Sequence, residues 1–122
     1  MRKVVAVVDD DAAMRGSVGR LLRSAGYDAE LLPSGEAMLD CVATSAAVCL
    51  VVDIHLGGMS GVELGRQLSA RGVALPIIFM SGVADHATEE AAIEVGCVAF
   101  LHKPFPANLL MDAIEKALQS PE

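Results

Sequence analysis

Tryptophan is absent from this chain, and the other aromatics are few: Tyr27, Phe79, Phe100 and Phe105 make up 3% of 122 residues. A core built with so little aromatic surface must be filled by Val, Leu, Ile, Ala and Met, and a hydrophobic content of 53% supplies them. Positive charge is also in short supply. The formal net charge of −7 leaves no basic face to follow a phosphate backbone, which argues against direct nucleic-acid binding. No run of like charge extends beyond Asp9-Asp10-Asp11, so a solvated acidic tail is excluded. Three cysteines, Cys41, Cys49 and Cys97, are odd in number and form no CxxC pair. They read as small apolar residues in a reducing compartment, not as a disulfide framework or a zinc site. His55, His86 and His102 form neither an HExxH nor a His-x-His pattern. No segment approaches the ~20 apolar residues of a membrane span. Basic residues do precede an apolar stretch at the N-terminus, but that stretch is too short for a signal peptide and ends in aspartates. These absences lead us to expect a cytoplasmic protein with no membrane association, and the length fits one domain over residues 1–122.

What is present is a rhythm. Short apolar runs recur at Val4–Val8, Ala29–Leu32, Val48–Val52, Ile77–Met80 and Val98–Leu101. Most are continuous, as strands buried on both faces read, and do not alternate. Helical spacing fills the segments between them. Met14, Val18, Leu21, Leu22 and Ala25 share one face, with Gly26 as the expected stop. Ser60-Gly61-Val62-Glu63 has the form of a capping box ahead of Leu64 and Leu68. The fourth helix offers a mostly alanine face (Ala87, Ala91, Ala92, Val95), and the last a stripe of Leu109, Leu110, Ala113, Ile114, Ala117 and Leu118. Gly16 and Gly19 inside the first helix each disfavour it by up to ~1 kcal/mol relative to Ala, so that helix depends on packing. A βα unit repeated five times implies an α/β fold, a doubly wound parallel sheet with helices on both faces.

The polar residues fall at one end of those strands. Asp9 and Asp10 follow the first, Asp53 the third and Ser81 the fourth, while Lys103 follows the fifth after His102. In an open parallel sheet this is the edge at which ligands bind. Taken singly, each residue has an ordinary role: an aspartate at a strand end is commonly a helix N-cap, for which Asp10 and Asp11 are both placed. Ser81 before Gly82 reads as a turn, and Lys103-Pro104 as a solvated loop. Their joint occurrence points to chemistry. Three crowded carboxylates raise one another's pKa unless balanced. An oxygen-rich site of this kind suits Mg²⁺, whose two charges together with that of Lys103 would cancel the three aspartates. A carboxylate held by a cation and a metal can attack phosphorus, and Lys103 and the Ser81 hydroxyl are suitable partners for phosphoryl oxygens.

With these residues in order, the sequence resembles the receiver domain of two-component response regulators. The resemblance runs the length of the chain and is carried by Val4–Asp11, Val51-Val52-Asp53, Met59–Leu64, Ile78–Gly82, Ala91–Cys97 and Phe100–Phe105. The Met59–Leu64 and Lys103-Pro104-Phe105 segments are similar to receivers of the nitrogen-fixation regulator group, which often precede a helix-turn-helix output domain. The resemblance implies a flavodoxin-like sheet of order 2-1-3-4-5. It makes Asp53 the phosphoacceptor, Asp10 a direct Mg²⁺ ligand and Asp9 a ligand through water, with the backbone carbonyl of His55 as a further ligand. It implies that Lys103 bridges to the phosphoryl group, with a cis bond to Pro104, and that Ser81 and Phe100 form a switch pair. A sensor histidine kinase or a phosphotransfer protein would supply the phosphoryl group, and the surface of the fourth helix, fifth strand and fifth helix would then select a partner or a homodimer.

Three features depart from that pattern. Gly57 stands where the family usually has proline, so the loop after Asp53 is expected to be less rigid and resting Mg²⁺ binding looser. Ser81 replaces the commoner threonine, and His55 is placed to overlook the site or to face solvent. Two other functions would ask for a different set of residues. A haloacid-dehalogenase-like phosphatase would need a second aspartate where His55 stands, whereas a binding module independent of phosphorylation would be free to lose members of the set. The sequence around Ser120-Pro121-Glu122 leaves both a stand-alone receiver and a piece of a longer regulator open.

Overall fold

The computed structural model describes residues 2–82 and 86–119, so Ser120, Pro121 and Glu122 lie outside the described residues. The elements run β1 (Val4–Val8), α1 (Ala12–Ser24), β2 (Asp28–Leu32), α2 (Gly35–Cys41), β3 (Ala47–Asp53), α3 (Gly61–Ala70), β4 (Ile77–Ser81), α4 (His86–Val95), β5 (Ala99–His102) and α5 (Ala107–Gln119). All strand pairs are parallel, in the order β2-β1-β3-β4-β5, so the expected flavodoxin-like topology is the observed one.

The continuous apolar runs are explained by two cores. Successive side chains of a strand point to opposite faces. Ala6, Val8, Leu50, Val52, Ile77 and Phe79 therefore pack on one side with residues of α2, α3 and α4. Val5, Val7, Cys49, Val51, Ile78 and Met80 pack on the other with Val18, Leu22, Leu110 and Ile114 of α1 and α5. β2 lies at the sheet edge, where its residues are only partly covered.

Strand ends shift by one residue from expectation. Asp53 completes β3 by pairing with Met80, Ser81 completes β4 opposite His102, and β5 begins at Ala99, not Val98. The backbone ladder sets these limits, and it continues past the last apolar side chain. Asp11 is the N-cap of α1, accepting from the amides of Ala13 and Met14, and Gly26 follows the helix with φ +97°. Ser60 caps α3 through the Glu63 amide, while the Glu63 carboxylate accepts from Gln67 along the helix. Gly19 is buried, and a Cβ there would come 3.1 Å from Leu31 Cδ2, so its small size lets α1 settle on β2. Among the described residues two large apolar side chains face outward, against expectation for Leu109: Ile93 of α4 is 62% exposed and Leu109 of α5 44%. The α5 stripe that does reach the core is Leu110, Ala113, Ile114 and Ala117.

The tightest backbone approach lies beneath the polar edge. A Cβ on Gly61 would meet the Asp53 carbonyl oxygen at 2.7 Å and Ile54 Cα at 2.9 Å, while the Gly61 amide donates to the Ile54 carbonyl at 2.9 Å. Backbone has little room to yield, so we expect Gly61→Ala to lower the unfolding free energy in urea by about 1–3 kcal/mol. An unchanged denaturation midpoint would show that the loop gives way at no cost.

Candidate functional site

The reversal of strand order falls between β1 and β3, and the register brings their ends level. Val8 pairs with Val52, and the next residue on each strand is an aspartate, Asp9 and Asp53. Both are buried, with Asp9 fully enclosed. Asp10, one residue on, is exposed. Carboxylate oxygens of Asp9, Asp10 and Asp53 lie within 4.8 Å of one another.

Both oxygens of Asp9 and of Asp53, and one of Asp10, accept hydrogen bonds. Lys103 Nζ donates to Asp53 Oδ2 at 2.9 Å and to Asp9 Oδ2 at 3.3 Å. The Asp11 amide donates to Asp9 Oδ1 at 3.0 Å, and the His55 amide to Asp53 Oδ1 at 2.9 Å. Asp10 Oδ2 accepts from the Gly57 amide at 3.1 Å. Arg15 Nη1 donates to the Asp9 carbonyl at 2.8 Å, fastening the end of β1 to α1. Lys103 itself follows β5, its amide bound to the Ser81 carbonyl at 2.8 Å, and the Lys103–Pro104 peptide is cis.

Burial raises the Asp9 carboxyl above the ordinary aspartate range, although the Asp11 amide and the charge of Lys103 pull against it. For Lys103, burial disfavours the ammonium, but the hydrogen bond and charge of Asp53, joined by Asp9, outweigh it and raise its pKa. Within the cluster, Lys103 is the cation in ion-pair contact among the described residues, so the carboxylates outnumber it. An all-oxygen donor set with surplus negative charge fits a hard divalent cation such as Mg²⁺.

The structure thus brings Asp9, Asp10, Asp53 and Lys103 together. It assigns Asp11 to helix capping, which separates it from the other two aspartates. Ser81 is buried, and the ring of its register partner His102 lies 5.0 Å from that of Phe100, centroid to centroid, with the planes tilted by 56°. The His55 side chain is exposed while its amide serves Asp53. The cysteines are free, and burial pushes the Cys49 thiol up to about 12, in keeping with an apolar packing role.

Two contacts escaped sequence reasoning. Glu36 of α2 accepts from the Met59 amide at 3.2 Å, and Gly57 reaches Asp10 across 47 positions of sequence. Neither leaves a local signal. Together they tie amides of the loop after Asp53 to carboxylates of other elements. Among the described residues, no helix is long and apolar enough to cross a membrane.

Comparison with known proteins agrees with this geometry. Residues 5–115 match the family described as response regulator receiver domain. The chain is 37% identical over 118 residues to the transcriptional regulatory protein FixJ of Bradyrhizobium diazoefficiens, covering 97% of this chain and 58% of that protein. It is 39% identical over 116 residues to the response regulator protein TodT of Pseudomonas putida, covering 95% of this chain and 51% of that one. It therefore spans about half the length of these relatives. Among solved structures, full-length FixJ from B. japonicum superposes with a TM-score of 0.91 at 36% identity, covering 98% of this chain and 59% of that chain. The structure titled FixJ-N superposes at 0.88 and 32%, covering 96% and 94%.

The raised pKa of Asp9 sets the sign of a stability test. A carboxyl whose folded pKa lies above its unfolded one favours folding only while protonated, and that contribution is lost as pH rises through the folded value. Charged Asp9 therefore weighs against the fold at neutral pH. We expect Asp9→Asn to melt higher than the wild type at pH 7, the gap closing as the pH is lowered into the range where Asp9 protonates. Equal melting temperatures at both pH values would refute this account of the pocket.

Proposed function

This chain belongs to the response regulator receiver domain family, a family of signalling switches, and we propose that Asp53 is its phosphoacceptor. The observation that carries this reading is the convergence of Asp9, Asp10 and Asp53 within 4.8 Å, with Lys103 donating to both buried members. In the proposed reaction a carboxylate oxygen of Asp53 attacks the phosphorus of a phosphohistidine, in a sensor histidine kinase or a phosphotransfer protein. An O–P bond forms as the P–N bond breaks, and the departing imidazole takes up a proton from water. The product acyl phosphate is later hydrolysed to restore Asp53.

Asp53, Asp10 and the His55 backbone carbonyl are the groups that would hold Mg²⁺, with Asp9 acting through a water. The ion, when bound, offsets the charge of the incoming phosphoryl oxygens. The chain's own residues do the rest. Lys103 and the His55 amide orient the two oxygens of Asp53, so the nucleophile is fixed before the donor arrives. Lys103 is also placed to follow a phosphoryl oxygen once Asp53 is modified, and the phosphoryl group adds about −1.5 to −2 charges for it to meet.

Ser81 and Phe100 are the proposed readout. The Ser81 hydroxyl turns toward the phosphoryl group, and the half-buried ring of Phe100 follows inward, changing the face formed by α4, β5 and α5. The exposed Ile93 and Leu109 support that face as a contact surface for a partner or a second phosphorylated copy. A population shift of this kind needs only that the phosphoryl group bind one arrangement better than the other.

Intact-protein mass after incubation with acetyl phosphate tests the assignment. We expect one added phosphoryl group in the presence of Mg²⁺, little without it, and none in Asp53→Asn. No adduct in the wild type, and no binding of the beryllofluoride mimic, would favour a module that acts independently of phosphorylation.

A further inference from the structure

Asp10 differs from its two neighbours. Asp9 and Asp53 are buried and share the Lys103 ammonium, whereas Asp10 is exposed and no ion pair reaches it among the described residues. An exposed aspartate samples several rotamers in water, and ordering it for a ligand carries an entropic cost. Here one bond orders it: the Gly57 amide donates to Asp10 Oδ2 at 3.1 Å, while no donor reaches Oδ1 among the described residues. One oxygen is thus fixed and the other left available, and Lys103 donates to neither.

The donor is itself held. Two residues further on, the Met59 amide is bound to Glu36 Oε2 at 3.2 Å, and the Gly61 amide closes back on the Ile54 carbonyl at 2.9 Å. The stretch from Asp53 to Gly61 is therefore anchored at both ends and at Met59, and it presents the Gly57 amide to Asp10 from a defined position.

We propose that the Gly57 backbone amide is a positioning group for Asp10, fixing Oδ2 so that Oδ1 meets a divalent cation at the cluster. The proposal rests on the reading of the cluster as a Mg²⁺ site and adds to it a contribution from the loop after Asp53. It also reverses the sign expected from sequence: the glycine tightens cation binding by offering an N–H that proline lacks. Hydrogen bonds to ligating carboxylates commonly matter in this way, since losing such a partner weakens metal affinity by roughly 10–100-fold where it has been tested.

Two substitutions separate the amide from the absence of a side chain. A Cβ at Gly57 would lie 3.6 Å from Asp10 Oδ2, an ordinary contact, so Gly57→Ala keeps the donor at little steric cost, and Gly57→Pro removes it. We would titrate the unphosphorylated protein with Mg²⁺ by calorimetry. Gly57→Ala should bind within about twofold of wild type, and Gly57→Pro about tenfold more weakly, with metal-free melting temperatures close to wild type for both. Gly57→Pro binding as tightly as wild type, or more tightly, would overturn the proposal. Should Gly57→Pro not fold, the amide resonance of Gly57 in the metal-free protein decides. It should move strongly on Asp10→Ala and its exchange with solvent should speed up, and an unmoved resonance would count against the proposal. Wild-type protein that takes up no Mg²⁺ would overturn the cation reading itself, and the proposal with it, even if the Gly57 resonance still responds to Asp10→Ala.

Discussion

A single ammonium shared by two buried carboxylates organises the polar end of this molecule. Lys103 comes from the end of β5, Asp53 from the end of β3 and Asp9 from just beyond β1, so one side chain ties together three of the five strands. Carboxylates enclosed in this way repel one another and lose hydration, and the arrangement persists only if a cation answers both. Removing such a partner ordinarily costs about 3–5 kcal/mol, because a buried charge is left uncompensated. The balance is nevertheless incomplete: three carboxylates face one paired ammonium, a surplus of negative charge that suits a hard divalent cation.

The sheet and the loops divide the work. Two apolar cores, one on each face, hold β1, β3 and β4 rigidly in register, and that register sets Asp9 and Asp53 side by side. The connection after β3 then carries amides to both Asp53 and Asp10, through His55 and Gly57. The Asp11 side chain turns to its own helix while its amide serves Asp9, and Arg15 fastens the backbone of Asp9 from α1. Three consecutive aspartates thus stand in three situations: a buried charge, an exposed carboxylate at the cluster and a helix cap.

Much of this was legible in the linear chain. Parallel strands buried on both faces lose the alternation of an exposed sheet, so continuous runs such as Val4–Val8 and Val48–Val52 disclosed the fold class. Charged or hydroxylated residues placed at the ends of those runs disclosed the site, because strand ends are where a parallel sheet must expose its polar groups. The edge strand β2 and the alanine-faced α4 carry fewer large apolar residues for the complementary reason, since each is only partly covered. Leu109 misled because apolar character at helical spacing does not say which flank of the stripe the sheet covers.

Sequence alone therefore determined the number and order of elements, the topology through its resemblance to receivers, and the convergence of Asp9, Asp10, Asp53 and Lys103 at one sheet edge. Those features are local or periodic, and local residues encode them. Only the tertiary structure decided which aspartate caps a helix, how Lys103 divides itself between two acids, and that Gly57 and Glu36 pin the loop beneath the site. Each of those is a contact between segments distant in the chain, or a choice between near-equivalent neighbours, and packing settles it by the positions at which the sheet brings donors and acceptors together.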